Sequence, residues 1–265
     1  MQEVLGPDTF TACLELDAGQ GLLCMPGCHP AAWSVCSFRS VHELGEQVEN
    51  ARSGMPVLWA GCSEMLERES PDACWQERWR LRLDRAADAP GPDWFASDVP
   101  LDFVTPSVPF SAVTHAAVAA LSGLLGLSRV AARTERQGVV VLYAGLRRTT
   151  GFLVFRQHVY GVYEHTASHS VEDVLRDMHE FKLTWLPDEV VRASGGFGSL
   201  IRHPVPDEAE SFEPVYLLGP NACRFEGYGL MAAPLIPSGM PWGADAGLRC
   251  YGLARLCGGF SGERL

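Results

Sequence analysis

Four groups of residues have types and spacings that suit chemistry. The first is the stretch 22–36, LLCMPGCHPAAWSVC, which puts Cys24, Cys28, Cys36 and His29 within fifteen residues. A radical-type iron–sulfur loop needs three thiolates spaced C-x3-C-x2-C, and Ala31 stands where the third cysteine belongs. A structural zinc site needs two close ligand pairs. Cys24 and Cys28 are one such pair, but Cys250 and Cys257 are seven apart and make no second one. The spacing favours free thiols, so no iron–sulfur cluster and no metal ligand set are expected.

The second and third groups are glycine turns that follow apolar strands. LELDAGQG ends in Asp17, Gly19 and Gly21, and VLYAGLRRTTG carries Gly145, Arg147 and Arg148. Glycines let backbone N–H groups approach a phosphate closely, a strand-end aspartate can hold a metal through water, and arginines pair with anions. A tight hairpin turn uses the same letters. The second turn has Ala144 where an aspartate would stand. The fourth group is YEHTASH, with Glu164, His165 and His169 at a strand end. Glu164 and His165 are candidates for acid–base work or water positioning, although neighbours in a strand point to opposite faces. ASGGFGSL (193–200) and the turn at Gly219 in LLGPNA are further glycine turns of a kind that cradles a nucleotide.

The elements that must position these groups follow from periodicity. Phe10, Ala12, Leu14 and Leu16 alternate with polar residues, as a strand does. Residues 40–53 read as a helix with Ser40 as N-cap and Glu43 three residues on. MPVLWAG (55–61) is a short buried strand, and 111–126 is a small-residue helix that should be buried. PLDFVTPSVPF contains a short strand that its prolines stop. RTERQG (133–138) is a polar break, where the domain boundary is placed. Residues 138–165 read as three strands joined by turns, 170–181 as a helix with Ser170 as N-cap, 213–222 as a strand and 245–259 as a C-terminal helix. The two halves rhyme. Each opens with a strand that runs into a glycine turn, which suggests two related α/β subdomains, 1–132 and 138–258, facing one cleft. Two unrelated hairpins give the same pattern.

Composition narrows the function classes. The chain has 265 residues, 47% hydrophobic and 20% charged, ordinary for a globular protein. A net charge of −11 argues against a nucleic-acid partner, because phosphate contacts need clustered cations. Lys182 is the only lysine, so Schiff-base or Walker-type chemistry would have to use it. No apolar run reaches the roughly 18 residues of a membrane span, and MQEVLGPDTF lacks the features of a signal peptide. No membrane partner is expected, and nine cysteines in odd number fit reduced thiols in a cytoplasm.

VVVLYAGLRRTTGFLVFRQHVYGVYEHTAS, FGSLI, VYLLGPNACRF and MAAPLIPSGMPWGADAGLRCYGL run in the order of a prokaryotic family, domain of unknown function 1786. The chain resembles that family well over about 138–255 and loosely before. Members are labelled pyruvate formate-lyase activating enzymes and grouped with the actin-like ATPase (ASKHA) superfamily. The resemblance implies an α/β, duplicated ribonuclease-H-like fold around a nucleotide cleft, with ATP and Mg²⁺ as ligands. It implies that Asp17, Gly19 and Gly21 match the first phosphate motif, Gly145 the second, and Gly219 the adenosine side. It leaves three functions open: a nucleotide- or phosphate-binding protein, a non-catalytic interaction module, and the radical enzyme of the label, which the missing third cysteine disfavours.

Overall fold

The computed structural model describes residues 9–15, 19–25, 34–39, 41–64, 112–146, 148–156, 158–166, 169–183, 212–232 and 246–256. Asp17, Cys28, His29, Ala31, Ser40, Arg147, the glycine turn at 193–200 and the strand expected within 100–110 lie outside them.

The first sheet is built from β1 (Phe10–Glu15), β2 (Gln20–Cys24), β3 (Ser34–Ser37), β4 (Val57–Ser63) and β5 (Ala112–His115), in the order β3-β2-β1-β4-β5. β1, β2 and β3 form an antiparallel meander, and β4 and β5 join parallel to β1. The alternation read in β1 sorts its side chains. Phe10, Ala12 and Leu14 pack with Leu23, Cys36, Leu44 and Val48, the last two from α1 (Val41–Arg52). Residue Gly21 stands opposite both Leu14 and Cys36. A Cβ there would lie 2.6 Å from Leu14 Cδ2 and 2.9 Å from Cys36 Sγ, so a larger residue would have to displace these two buried side chains.

The other face of β1 carries Cys13 and Glu15 and is covered by α5 (Ala246–Leu256). Helix α5 also packs on α2 (Ala116–Gly126). Cβ atoms at Gly123 and Gly252 would strike backbone of the opposing helix, at Leu248 and Ala119. The absent side chains therefore set how closely the two helices approach. Arg255 donates to the Ser122 carbonyl and Tyr251 to that of Gly126 at 3.5 Å. Sequence order assigned residues 246–256 to the second subdomain, whereas this helix groups with the first sheet. The expected helix at 111–126 is divided as well. Residues 112–115 extend as β5, and the helix begins at Ala116, whose follower Ala117 donates its N–H to His115 Nδ1 at 3.2 Å.

The second sheet repeats the first. Its strands are β6 (Gly138–Ala144), β7 (Arg148–Phe155), β8 (His158–Thr166), β9 (Phe212–Leu218) and β10 (Met231–Ala232), in the order β10-β9-β6-β7-β8. Again the first three are antiparallel and the last two join parallel to the first. Two sheets of identical order and strand sense, each with a helix between its third and fourth strands, make the duplicated ribonuclease-H-like fold of actin-like proteins. The rhyme between the halves is a true structural repeat. A bulge in β9 falls between the partners of Gly138 and Val140, at Glu213 and Pro214, where proline has no N–H to give the ladder. Helix α3 (Ser128–Thr134), which occupies part of the expected polar break, packs on β6. Helix α4 (Val171–Leu183) covers the opposite face. Its N-terminus is capped as expected: the Asp173 N–H donates to Ser170 Oγ at 3.1 Å, and the Ser170 hydroxyl donates to Asp173 Oδ2 at 2.7 Å. Val174 and Met178 then bury against Val140, Leu142, Leu153 and Leu217.

Candidate functional site

In the second unit the chain leaves β6 toward β7 and β8, then returns to β9 on the other side. The carboxyl ends of β6 and β9 therefore lie side by side at the point where the strand order reverses. Ligands of open α/β sheets bind outside such ends. Two turns meet there. After β6 comes Gly145, whose N–H donates to the Arg148 carbonyl at 2.8 Å and closes the hairpin. After β9 comes Gly219, at φ +101°, a conformation that L side chains rarely adopt. A Cβ on Gly219 would lie 2.5 Å from the Ala144 carbonyl oxygen. Asn221 ties the turns together. Its N–H donates to Ala144 O at 2.9 Å, and its Nδ2 donates to Gly145 O at 2.7 Å.

The strand ladder carries this end of the sheet outward to His165. Ala144 pairs with Thr149, and Thr149 with His165, so the three share one row and one face. Two interstrand steps of about 4.8 Å put His165 roughly 10 Å from the end of β6. His165 Nε2 lies 3.3 Å from Asp177 Oδ2 of α4, and its ring meets that of His169 at 4.9 Å. Burial pushes the His165 imidazole below its ordinary range, outweighing the Asp177 carboxylate, which raises it. A neutral ring with Nε2–H toward Asp177 leaves the Nδ1 lone pair as a proton acceptor. Glu164 pairs instead with Thr150, one register step away and hence on the alternate face. Sequence alone singled out His165 but not Asp177, which is one of several acids on an amphipathic helix.

The first unit has the corresponding ends at β1 and β4. Gly19 has φ +60°, and a Cβ there would lie 2.5 Å from Phe38 O. Its own carbonyl accepts from the Phe38 N–H at 2.8 Å. Glu15, the last residue of β1, is buried and sits 3.8 Å from Arg249 of α5, which is buried too. Nothing in the local sequence marks this pair. Among the described residues no group of three His, Cys, Asp or Glu stands where it could hold a metal ion. The Mg²⁺ expectation thus rests on Asp17.

The thiols of the stretch 22–36 separate. Cys24 stands opposite Thr11 and Cys36 opposite Gly21 and hence Leu14, so the two occupy opposite faces of the sheet. Both are buried, and burial pushes the Cys36 thiol up to about 11. They do not converge on one centre.

Residues 104–224 match the family model described as "Putative pyruvate format-lyase activating enzyme (DUF1786)". Over that segment the chain is similar to the DUF1786 family. The segment runs from before β5 through Asn221 and contains Gly145, Arg147, Arg148, Glu164, His165 and Gly219, but none of the first turn. A search of curated proteins found no match. Several solved structures are similar at low identity, three of them as follows. A PilM-PilN type IV pilus biogenesis complex matches at 14% identity, over 94% of this chain and 98% of that one, with a TM-score of 0.46. A protein from Bacteroides thetaiotaomicron VPI-5482, with an actin-like ATPase fold and unknown function, matches at 9% identity over 83% and 85%, TM-score 0.34. The ethanolamine utilization protein EutJ from Carboxydothermus hydrogenoformans matches at 10% identity over 91% and 89%, TM-score 0.32. The fold assignment rests on the order and sense of the strands in the two sheets.

Proposed function

We propose that this chain binds a nucleotide or a phosphorylated ligand in the manner of an actin-like ATPase. One observation carries the reading: Gly145 and the Gly219–Asn221 turn meet at the carboxyl ends of β6 and β9, where the strand order reverses. In this reading Gly145 shapes the phosphate-side turn, Arg147 or Arg148 is the anion partner, and Gly219 faces the adenosine. Asp17, Gly19 and Gly21 form the corresponding turn of the first unit, with Asp17 as the contact to Mg²⁺. In this reading the His165–Asp177 pair accepts a proton or orients a water at the same end of the second sheet. Glu164 has a different register position and is a separate candidate. The odd number of cysteines suits reduced thiols in a compartment such as the cytoplasm.

Calorimetry and thermal shift with ATP and Mg²⁺, with a phosphate-release assay beside them, test the proposal. Saturable heat and a raised Tm support it. No heat, no shift and no hydrolysis with any nucleotide would sink it. A second reading, a member that binds without catalysis, is favoured by Ala144, a fully buried methyl group where a strand-end carboxylate would stand. Binding without hydrolysis is its signature.

A further inference from the structure

We infer that Asn221 is a positioning residue that sets the backbone of the β6–β7 turn for a phosphate group; this rests on the nucleotide reading above. Asn221 takes two consecutive carbonyls of another strand's end, Ala144 O through its backbone N–H at 2.9 Å and Gly145 O through its side-chain Nδ2 at 2.7 Å. The Gly145 N–H is turned inward to Arg148 O at 2.8 Å. Both backbone polar groups of Gly145 are thus committed, and the carbonyl is held from outside the hairpin by a residue 76 positions later. The approach depends on Gly219, because a side chain there would meet Ala144 O.

The chemistry of the clasp is specific. A neutral amide donates to the carbonyl without adding charge beside an anionic ligand. A carboxylate of the same shape has no donor to offer and sets negative charge against both the carbonyl and a bound phosphate. The clasp holds the turn assigned to the phosphates, whereas the base is assigned to Gly219. Losing it should weaken ligands in proportion to their phosphate contacts and leave a phosphate-free ligand unaffected.

The test is calorimetric titration of the full chain with ATP and, separately, with adenosine, comparing wild type, Asn221→Ala and Asn221→Asp. Losing one neutral hydrogen bond should weaken ATP binding about five- to tenfold in Asn221→Ala. Asn221→Asp should weaken it further, and adenosine should bind all three proteins alike. The Asp variant keeps the side-chain volume and the backbone N–H to Ala144, so it answers the question if the Ala variant does not fold. Equal losses for ATP and adenosine reduce Asn221 to a fold residue and overturn the inference. So does an Asp variant that matches wild type for ATP. Wild-type protein that binds neither ligand overturns the nucleotide reading, and this inference falls with it.

Discussion

Replacing Gly219 by alanine tests the geometry of the candidate site in two separable parts. The first is backbone strain: at φ +101° the residue sits where L side chains rarely go, which costs about 1–3 kcal/mol. The second is steric. The new Cβ would lie 2.5 Å from Ala144 O, 2.8 Å from Ala144 C and 3.0 Å from Ala144 N. All three are backbone atoms of a buried strand end that cannot swing aside, and overpacking of that kind costs about 1–3 kcal/mol. The midpoints sum to about 4 kcal/mol, a large part of the ~5–15 kcal/mol of a typical domain. Gly227→Ala is the control. Its φ is +88°, but nothing lies within 4 Å of its Cβ position, so it bears only the strain of about 2 kcal/mol. Native-state hydrogen exchange at the β6 amides reads the stability of the second unit without assuming that the whole chain unfolds at once. The expected result is a loss about 2 kcal/mol greater for Gly219→Ala than for Gly227→Ala. Equal losses, or a smaller one at Gly219, would refute the close approach of the β6 and β9 turns.

Arg249→Met should destabilise the first unit by about 3–5 kcal/mol, because it leaves Glu15 buried without its cation. Adding Glu15→Gln should recover most of that loss in chemical denaturation, and strictly additive losses would refute the pairing. NMR titration should place His165 below the ordinary histidine value of about 6.5, and Asp177→Asn should lower it further by removing the larger of the two carboxylate influences, Asp177 and Asp173, that raise it. Folding thus favours the neutral ring. The associated stability is whole above about pH 6.5 and is lost as pH falls toward the folded value, where the unfolded chain takes the proton first; a His165 value above the ordinary one contradicts this. Iodoacetamide should modify exposed Cys223 in the native protein. It should reach Cys13, Cys24, Cys36, Cys62 and Cys250 only after unfolding, since all five are buried, and native labelling of any of them counts against the described packing.

Much of the fold was legible because its signals are local. Alternation in FTACLE and the glycine break after VLYAG reflect the two-residue strand period and the needs of tight turns. Ser170 announced α4 as an N-cap, and in the structure that cap closes on Asp173 within four residues. What stayed hidden depends on partners distant in sequence. The glycines of α2 and α5 look like helix-weakening residues until Gly123 and Gly252 are seen to admit the opposing backbone. Arg249 reads as a solvent-facing charge in a C-terminal helix, yet it is buried against Glu15. Gly21, read as a phosphate contact, also has a packing reason in Leu14 and Cys36. Gly145 and Gly219 were each visible as turn glycines. Their meeting needed the parallel pairing of β6 with β9, and Asn221 carried no signal of its own.

The most direct test of the central claim is hydrogen exchange with and without saturating ATP and Mg²⁺, read on peptides covering 138–148 and 215–222. Binding at the strand-order reversal predicts slowed exchange in both segments together, with peptides over α1 unchanged. Saturable ATP binding that leaves both segments exchanging at their unliganded rates would contradict it.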